Sequence, residues 1–105
     1  MNAANTDFGL LQFGLATSAA PALKRSGAAL QVRLADDTAY APISASVVQR
    51  AALTFATLPA VASWPGADAY ITDCNTSKVG AVAAGGGAIK ALVWSDGTNW
   101  KVLAA

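Results

Sequence analysis

The sequence predicts an all-β chain, and three observations carry that prediction. Apolar residues alternate with polar ones at period two, most clearly where Leu30, Val32 and Leu34 interleave with Gln31 and Arg33. The short runs are separated by turn-forming groups: Ser26-Gly27, Trp64-Pro65-Gly66, Gly85-Gly86-Gly87 and Asp96-Gly97. Finally, 54% of the 105 residues are hydrophobic and only 12% are charged, yet there are just three Trp, three Phe and two Tyr, and much of the apolar count is alanine. Soluble domains average about a quarter charged residues. A thin core under a sparsely charged surface points to an obligate oligomer whose copies share buried area. The expected architecture is a strand-rich oligomerisation and attachment module over residues 1–50, followed by a small antiparallel β-barrel or sandwich over residues 51–105.

The hairpin of residues 89–105 is the clearest element. Two apolar runs flank Asp96-Gly97, a dipeptide suited to the positive φ of a two-residue mirrored turn. Centring the turn there sets Ser95 opposite Thr98, Trp94 opposite Asn99, Val93 opposite Trp100 and Ala91 opposite Val102. Strand alternation then gives a core face of Ala91, Val93, Trp100 and Val102 and a mixed face of Lys90, Leu92, Trp94, Asn99, Lys101 and Leu103. A lone hairpin is marginal in water, so further strands or another copy must close it.

In chain order, residues 1–7 are small and polar and read as an arm. Residues 8–15, Phe8 to Leu15, are apolar on both alternating sets, as in a buried or intersubunit strand. Residues 17–21 are loop-like, and Pro21, lacking an amide hydrogen, should not lie inside a central strand. Ser26-Gly27 turns the chain into the strand of Leu30, Val32 and Leu34, which Asp36-Asp37 ends. Tyr40 to Ile43 is extended, because the residue before Pro42 is pushed out of the helical region. Residues 45–52 are the one stretch that admits a short helix, and two adjacent valines, Val47 and Val48, suit a strand or linker equally; residues 44–50 mark the module boundary.

The C-terminal module opens on an alternating strand at Leu53 and Phe55 that Pro59 breaks. Trp64-Pro65-Gly66-Ala67 is a tight turn, residues 69–74 a strand, residues 75–78 a polar loop and residues 79–84 a weak strand. The Gly85-Gly86-Gly87 corner leads into the hairpin.

Composition also excludes several functions. The net charge is +1, and Lys24-Arg25 is the only adjacent pair of cations, so no basic stripe awaits nucleic acid. The N-terminus lacks a basic segment before an apolar run, and no apolar stretch is long enough to span a bilayer; neither secretion nor membrane insertion is expected. That idles the glycosylation sequon Asn75-Thr76-Ser77. There is no histidine and a single cysteine, Cys74, which reads as a core residue, so no disulfide, thiolate metal cage or His-activated nucleophile is available. The three glycines lack the Gly-Lys-Ser/Thr ending of a phosphate loop and read as backbone packed close to a neighbour. Asp36, Asp37, Asp68 and Asp73 form no spaced calcium ladder, and Asp36-Asp37 reads as a solvated turn. No enzyme, catalytic residue, cofactor or metal is therefore expected.

The remaining candidates are aromatic. Trp64, Tyr70, Trp94 and Trp100 offer faces on which a sugar stacks, with Asn99 and Asp96 as polar neighbours. Trp100 and Tyr70 also serve as the core of a thin domain, and Trp100 is assigned there. Trp94, Asn99 and Trp64 remain as the candidate glycan or partner surface, with intersubunit packing the other role open to Trp94.

Two stretches resemble tailed-bacteriophage virion proteins. Residues 21–40, PALKRSGAALQVRLADDTAY, are similar to a segment that recurs in tail-fibre and spike proteins. Residues 69–100, from Ala69-Tyr70-Ile71-Thr72-Asp73 through Gly85-Gly86-Gly87 to Asp96-Gly97-Thr98-Asn99-Trp100, resemble a small β-domain that often closes such proteins. The resemblance implies a homotrimeric structural protein of the virion, assembled in the bacterial host cytoplasm. Its N-terminal strands would be intertwined about a three-fold axis, and its partners would be copies of itself and other tail or capsid proteins. A tail fibre or spike is the first expectation; a capsid decoration or head-fibre protein, and a module that recognises a host surface glycan, are the alternatives. The chain is much shorter than a usual fibre, and no catalytic residue carries over.

Overall fold

A computed structural model describes residues 10–105, which build two sheets and no α-helix. The chain divides into two compact units, the first ending at Val47 and the second running from Val48 to Ala105; the sequence had placed the boundary between residues 50 and 51. Residues 41–51 carry neither helix nor strand, so the short helix allowed there is not formed. The polar arm of residues 1–7, and the Phe8-Gly9 start of the first apolar run, lie outside the described residues.

The N-terminal unit is a three-stranded antiparallel meander of β1 (Leu10–Gln12), β2 (Pro21–Ser26) and β3 (Ala29–Leu34), with β2 in the centre. Ser26 pairs with Ala29, so Gly27 and Ala28 form a two-residue loop. Gly27 sits at φ 59°, the positive φ that the first loop position of a tight hairpin requires. Pro21 opens β2, contrary to the expectation of a loop there. Its missing amide costs nothing at a strand's first position, and its carbonyl accepts from Phe13 N at 3.1 Å.

Register assigns every side chain of this sheet to a face. Leu10, Gln12, Ala22, Lys24, Gln31 and Arg33 share one side. Leu11, Leu23, Arg25, Leu30, Val32 and Leu34 share the other. After β3 the chain turns back along its outer edge. Asp37 N donates to Leu34 O at 2.8 Å, Leu34 N to Ala39 O at 2.9 Å and Ala41 N to Val32 O at 3.0 Å.

The C-terminal unit is an open four-stranded sheet in the order β4 (Ala52–Leu53), β5 (Asp68–Cys74), β6 (Ile89–Ser95), β7 (Trp100–Ala104). Of the expected antiparallel barrel or sandwich, the barrel is corrected: the described strands close none, and β4 runs parallel to β5. The expected strand over residues 53–58 is also corrected. After Leu53 the chain enters a 3-10 turn, Phe55–Thr57, because threonine side chains and a neighbouring carboxylate take the backbone away from a ladder. Thr54 N donates to Thr57 Oγ1 at 3.0 Å, and Phe55 N donates to Asp73 Oδ1 at 2.8 Å. Residues 79–84 form a single bridge, Val82 to Lys101, rather than a strand, and hydrogen bond along β7 through Gly80 N, Ala81 O and Ala83 N.

One face of this sheet holds the core: Ile71, Cys74, Ala91, Val93, Trp100 and Val102, with Ala83 from the loop above. Leu53, Phe55, Leu58 and Val61 close over it. Ser95, the one buried polar residue among those described, donates its hydroxyl to Val61 O at 2.8 Å, and Trp100 Nε1 donates to Pro59 O at 3.4 Å. Gly87 marks a close approach of backbone to backbone. Its amide donates to Asp73 O at 3.0 Å, and a Cβ there would overlap the carbonyl of Cys74.

The hairpin register differs from the predicted one. Ser95 pairs with Trp100, Trp94 with Lys101 and Val93 with Val102, so the loop has four residues, Asp96 to Asn99, instead of two. Asp96 drives this: its Oδ1 accepts from Thr98 N at 2.9 Å and Asn99 N at 2.7 Å, and its amide donates to Asn99 O at 3.1 Å. A slip of two residues preserves side-chain parity. Ala91, Val93, Trp100 and Val102 are accordingly all buried, as the pattern predicts.

Candidate functional site

Two surfaces, one on each unit, carry the candidate groups. The first is the apolar face of the N-terminal sheet. Leu11, Leu23, Arg25 and Leu30 line an open groove of about 340 Å³ on it. Leu30 is 69% exposed, and Phe13 and Leu15, just beyond β1, are 57% and 81% exposed. The only buried apolar residues described in this unit are Ala22 and Ala35. Leu23, Val32 and Leu34 are half-buried.

The reverse side of the same sheet carries a polar cluster. Asp37 accepts from Lys24 Nζ at 2.5 Å and from Arg33 Nε at 2.9 Å, and Arg33 Nη2 donates to Asp37 O at 3.1 Å. These two cations meet one carboxylate because register sets Lys24 beside Gln31 and Ala22 beside Arg33, leaving Lys24 and Arg33 as diagonal neighbours on one face. The guanidinium of Arg33 lies over the Tyr40 ring at 4.5 Å, and Tyr40 Oη accepts from Gln31 Nε2 at 3.1 Å. Hydrogen bonds from Lys24 and then Arg33 hold the Asp37 carboxyl below its ordinary value. The expected solvated acid pair is thus split. Asp36 is exposed and accepts from Thr38 N and Oγ1 at 3.1 and 2.6 Å, while Asp37 is half-buried between two strands. Reasoning from the sequence missed this role for Asp37. The signal was there in the Ser26-Gly27 turn, whose register places both cations on the side to which the acid pair returns.

The second surface is the outer face of the C-terminal sheet, with Tyr70, Leu92, Trp94 and Lys101. Trp94 is half-buried on it, near the end of β6, between Asp68 at the start of β5 and Lys101 on β7. Both flanking charges are paired: Asp68 with Arg50 at 2.5 Å, Lys101 with Asp96 Oδ2 at 3.0 Å. The amides of Asn99 and Thr98, then Lys101, lower the Asp96 carboxyl to about 2.

Trp64 is 44% exposed and belongs to a tight turn in which Ala67 N donates to Trp64 O at 3.1 Å and Gly66 adopts φ 84°. That turn is tied to β6, since Gly66 N donates to Ser95 O at 2.7 Å and Ser95 N to Ala67 O at 2.8 Å. Asn99 is half-buried at the end of the hairpin loop. Trp64, Trp94 and Asn99 therefore all belong to the end of the sheet built around Ser95, Trp94 on a strand and the other two on loops. Trp100 is buried, as assigned, and Tyr70 is half-buried on the outer face.

Among the described residues, no group of three or more His, Cys, Asp or Glu side chains is placed to hold a metal ion, and no helix is long and apolar enough to cross a membrane. Comparison with protein-family models, curated proteins and solved structures finds no match to this chain. The class that fold and surfaces define is an all-β chain of two open sheets, one with its own core and one with, among the described residues, only Ala22 and Ala35 buried.

Proposed function

We propose that this chain is a structural, self-assembling component of a tailed-bacteriophage virion, a tail fibre or spike element that works as a homotrimer. The observation that carries the reading is the N-terminal sheet, whose apolar side chains line one face while, among the described residues of that unit, only two alanines are buried. A three-stranded sheet needs a covered apolar face to be stable in water. Identical copies packed about a symmetry axis supply that cover and exclude water from Leu11, Leu23 and Leu30 together. The setting, a phage particle assembled in the bacterial cytoplasm, comes from the resemblance of residues 21–40 and 69–100 to virion proteins, and its further partners are other tail or capsid proteins. Light scattering on the purified protein tests the assembly: three times the 10.5 kDa chain mass is expected, and a folded single copy at micromolar concentration overturns it. Density for this chain in a virion map separates tail from capsid decoration.

A second reading, a host-glycan-binding module without enzymatic activity, is favoured by one observation: Trp64, Trp94 and Asn99 gather at one end of the C-terminal sheet. Its test is a glycan array on which binding is lost in Trp94→Ala while the mass of the assembly is unchanged.

A further inference from the structure

We propose that residues 35–41 form a strap that guards the free edge of β3, and that releasing it opens that edge to the same strand of a second copy. The strap spends three outward-facing backbone groups of β3: Leu34 N on Ala39, Leu34 O on Asp37 and Val32 O on Ala41. Exposed strand edges are templates for strand addition, and covering loops are a recurrent protection.

The strap is held at both ends by side chains. At its start, the Asp37 carboxylate bridges Lys24 on β2 and Arg33 on β3. At its end, Tyr40 lies under Arg33 and accepts from Gln31. Asp37 is also the only non-glycine residue described with positive φ, at 62°. Such a conformation persists only when its surroundings over-determine it, and here two cations and a backbone hydrogen bond do so.

The edge is self-complementary. Antiparallel pairing of two β3 strands centred on Val32 sets Val32 opposite Val32, Leu30 opposite Leu34 and Gln31 opposite Arg33. The outward N–H and C=O of Val32 are then exchanged between the copies. Leu30, Val32 and Leu34 continue the same apolar face across the junction, giving a six-stranded sheet with one apolar side. The occupant is therefore a second copy, and pairing of this kind is distinct from face-to-face packing of the trimer. The strap confines assembly to the sheet's face by keeping its edge closed.

The test compares the parent protein with Asp37→Ala by sedimentation velocity. The variant is expected to form species larger than the parent assembly that grow with concentration. Adding Val32→Pro, which removes the outward amide while leaving the β2 ladder intact, is expected to restore the parent mass. Tyr40→Ala, which loosens the strap without touching its turn, is expected to give the same species in smaller amount. Parental mass in a folded Asp37→Ala protein overturns the proposal, as do large species that survive Val32→Pro. An unfolded Asp37→Ala protein alongside a Tyr40→Ala protein of parental mass overturns it too. The parent's own mass tests the trimer separately, so the two readings fail independently.

Discussion

The two units are built from similar strands and reach opposite solutions to the same problem. The C-terminal sheet covers one face with its own loops, so Ile71, Val93 and Val102 lose all contact with water. Among the described residues of the N-terminal unit no such cover is seen, and Leu11, Phe13 and Leu30 are exposed. Strand pairing sets the order of a sheet, but burial of a face stabilises it. The C-terminal unit has the segments 55–63 and 79–88 to spare for cover; the N-terminal unit spends residues 35–41 on closing an edge instead. One region covers its core face with its own loops, and the other leaves Leu11 and Leu30 exposed; copies sharing that face are what the proposed assembly would add.

The sharpest break of this contrast is Leu30→Asp. A surface substitution on a self-sufficient sheet moves stability by about 0.5 kcal/mol or less. On a shared face it buries a charge in every copy, and light scattering is expected to show the assembly falling to the 10.5 kDa chain. Tryptophan fluorescence should stay folded, since all three tryptophans belong to the C-terminal unit.

Trp100→Ala probes the other side of the comparison. It empties the centre of the C-terminal core and is expected to cost about 3–5 kcal/mol, read as loss of the cooperative tryptophan transition in urea. Gly87→Ala is next, at about 1–3 kcal/mol, because its methyl group collides with the Cys74 carbonyl and backbone must move. Gly97→Val forces a β-branched residue to φ 94° and should cost about 1–3 kcal/mol. An unchanged melting temperature there would contradict the hairpin loop.

The smallest effect is electrostatic. Asp96 has a folded pKa of about 2 against an ordinary 3.8, so the stability it brings is complete above its unfolded value and is lost as pH falls through about 2. Asp96→Asn removes that dependence. The acid limb of the melting-temperature profile of the C-terminal unit should become shallower: the variant lies below the parent near neutrality, where the carboxylate's bonds to Asn99, Thr98 and Lys101 are complete, and approaches it as pH falls towards 2.

The alternation of Leu30, Val32 and Leu34 and the parity of the final hairpin were legible because period two is a property of neighbouring residues. The length of the Asp96 loop was not, since one carboxylate collecting two amides competes with the two-residue turn that Asp-Gly also permits. The 3-10 turn at Phe55 was hidden for a like reason: its amide is claimed by Asp73, eighteen positions away. On the candidate surface, sequence could nominate Trp64, Trp94 and Asn99 by type, but only the bonds from Gly66 and Ala67 to Ser95 put them at one end of a sheet.

Composition and periodicity alone determined that the chain is all-β, thinly cored and divided near residue 50, because these follow from residue types and their spacing. Tertiary structure decided the rest: the parallel β4, the open sheet of the described C-terminal strands, the Asp37 clamp and the exposure of Leu11 and Leu30. Each depends on which distant groups meet, and a carboxylate or a leucine carries no local mark of the partner that three-dimensional register will bring to it.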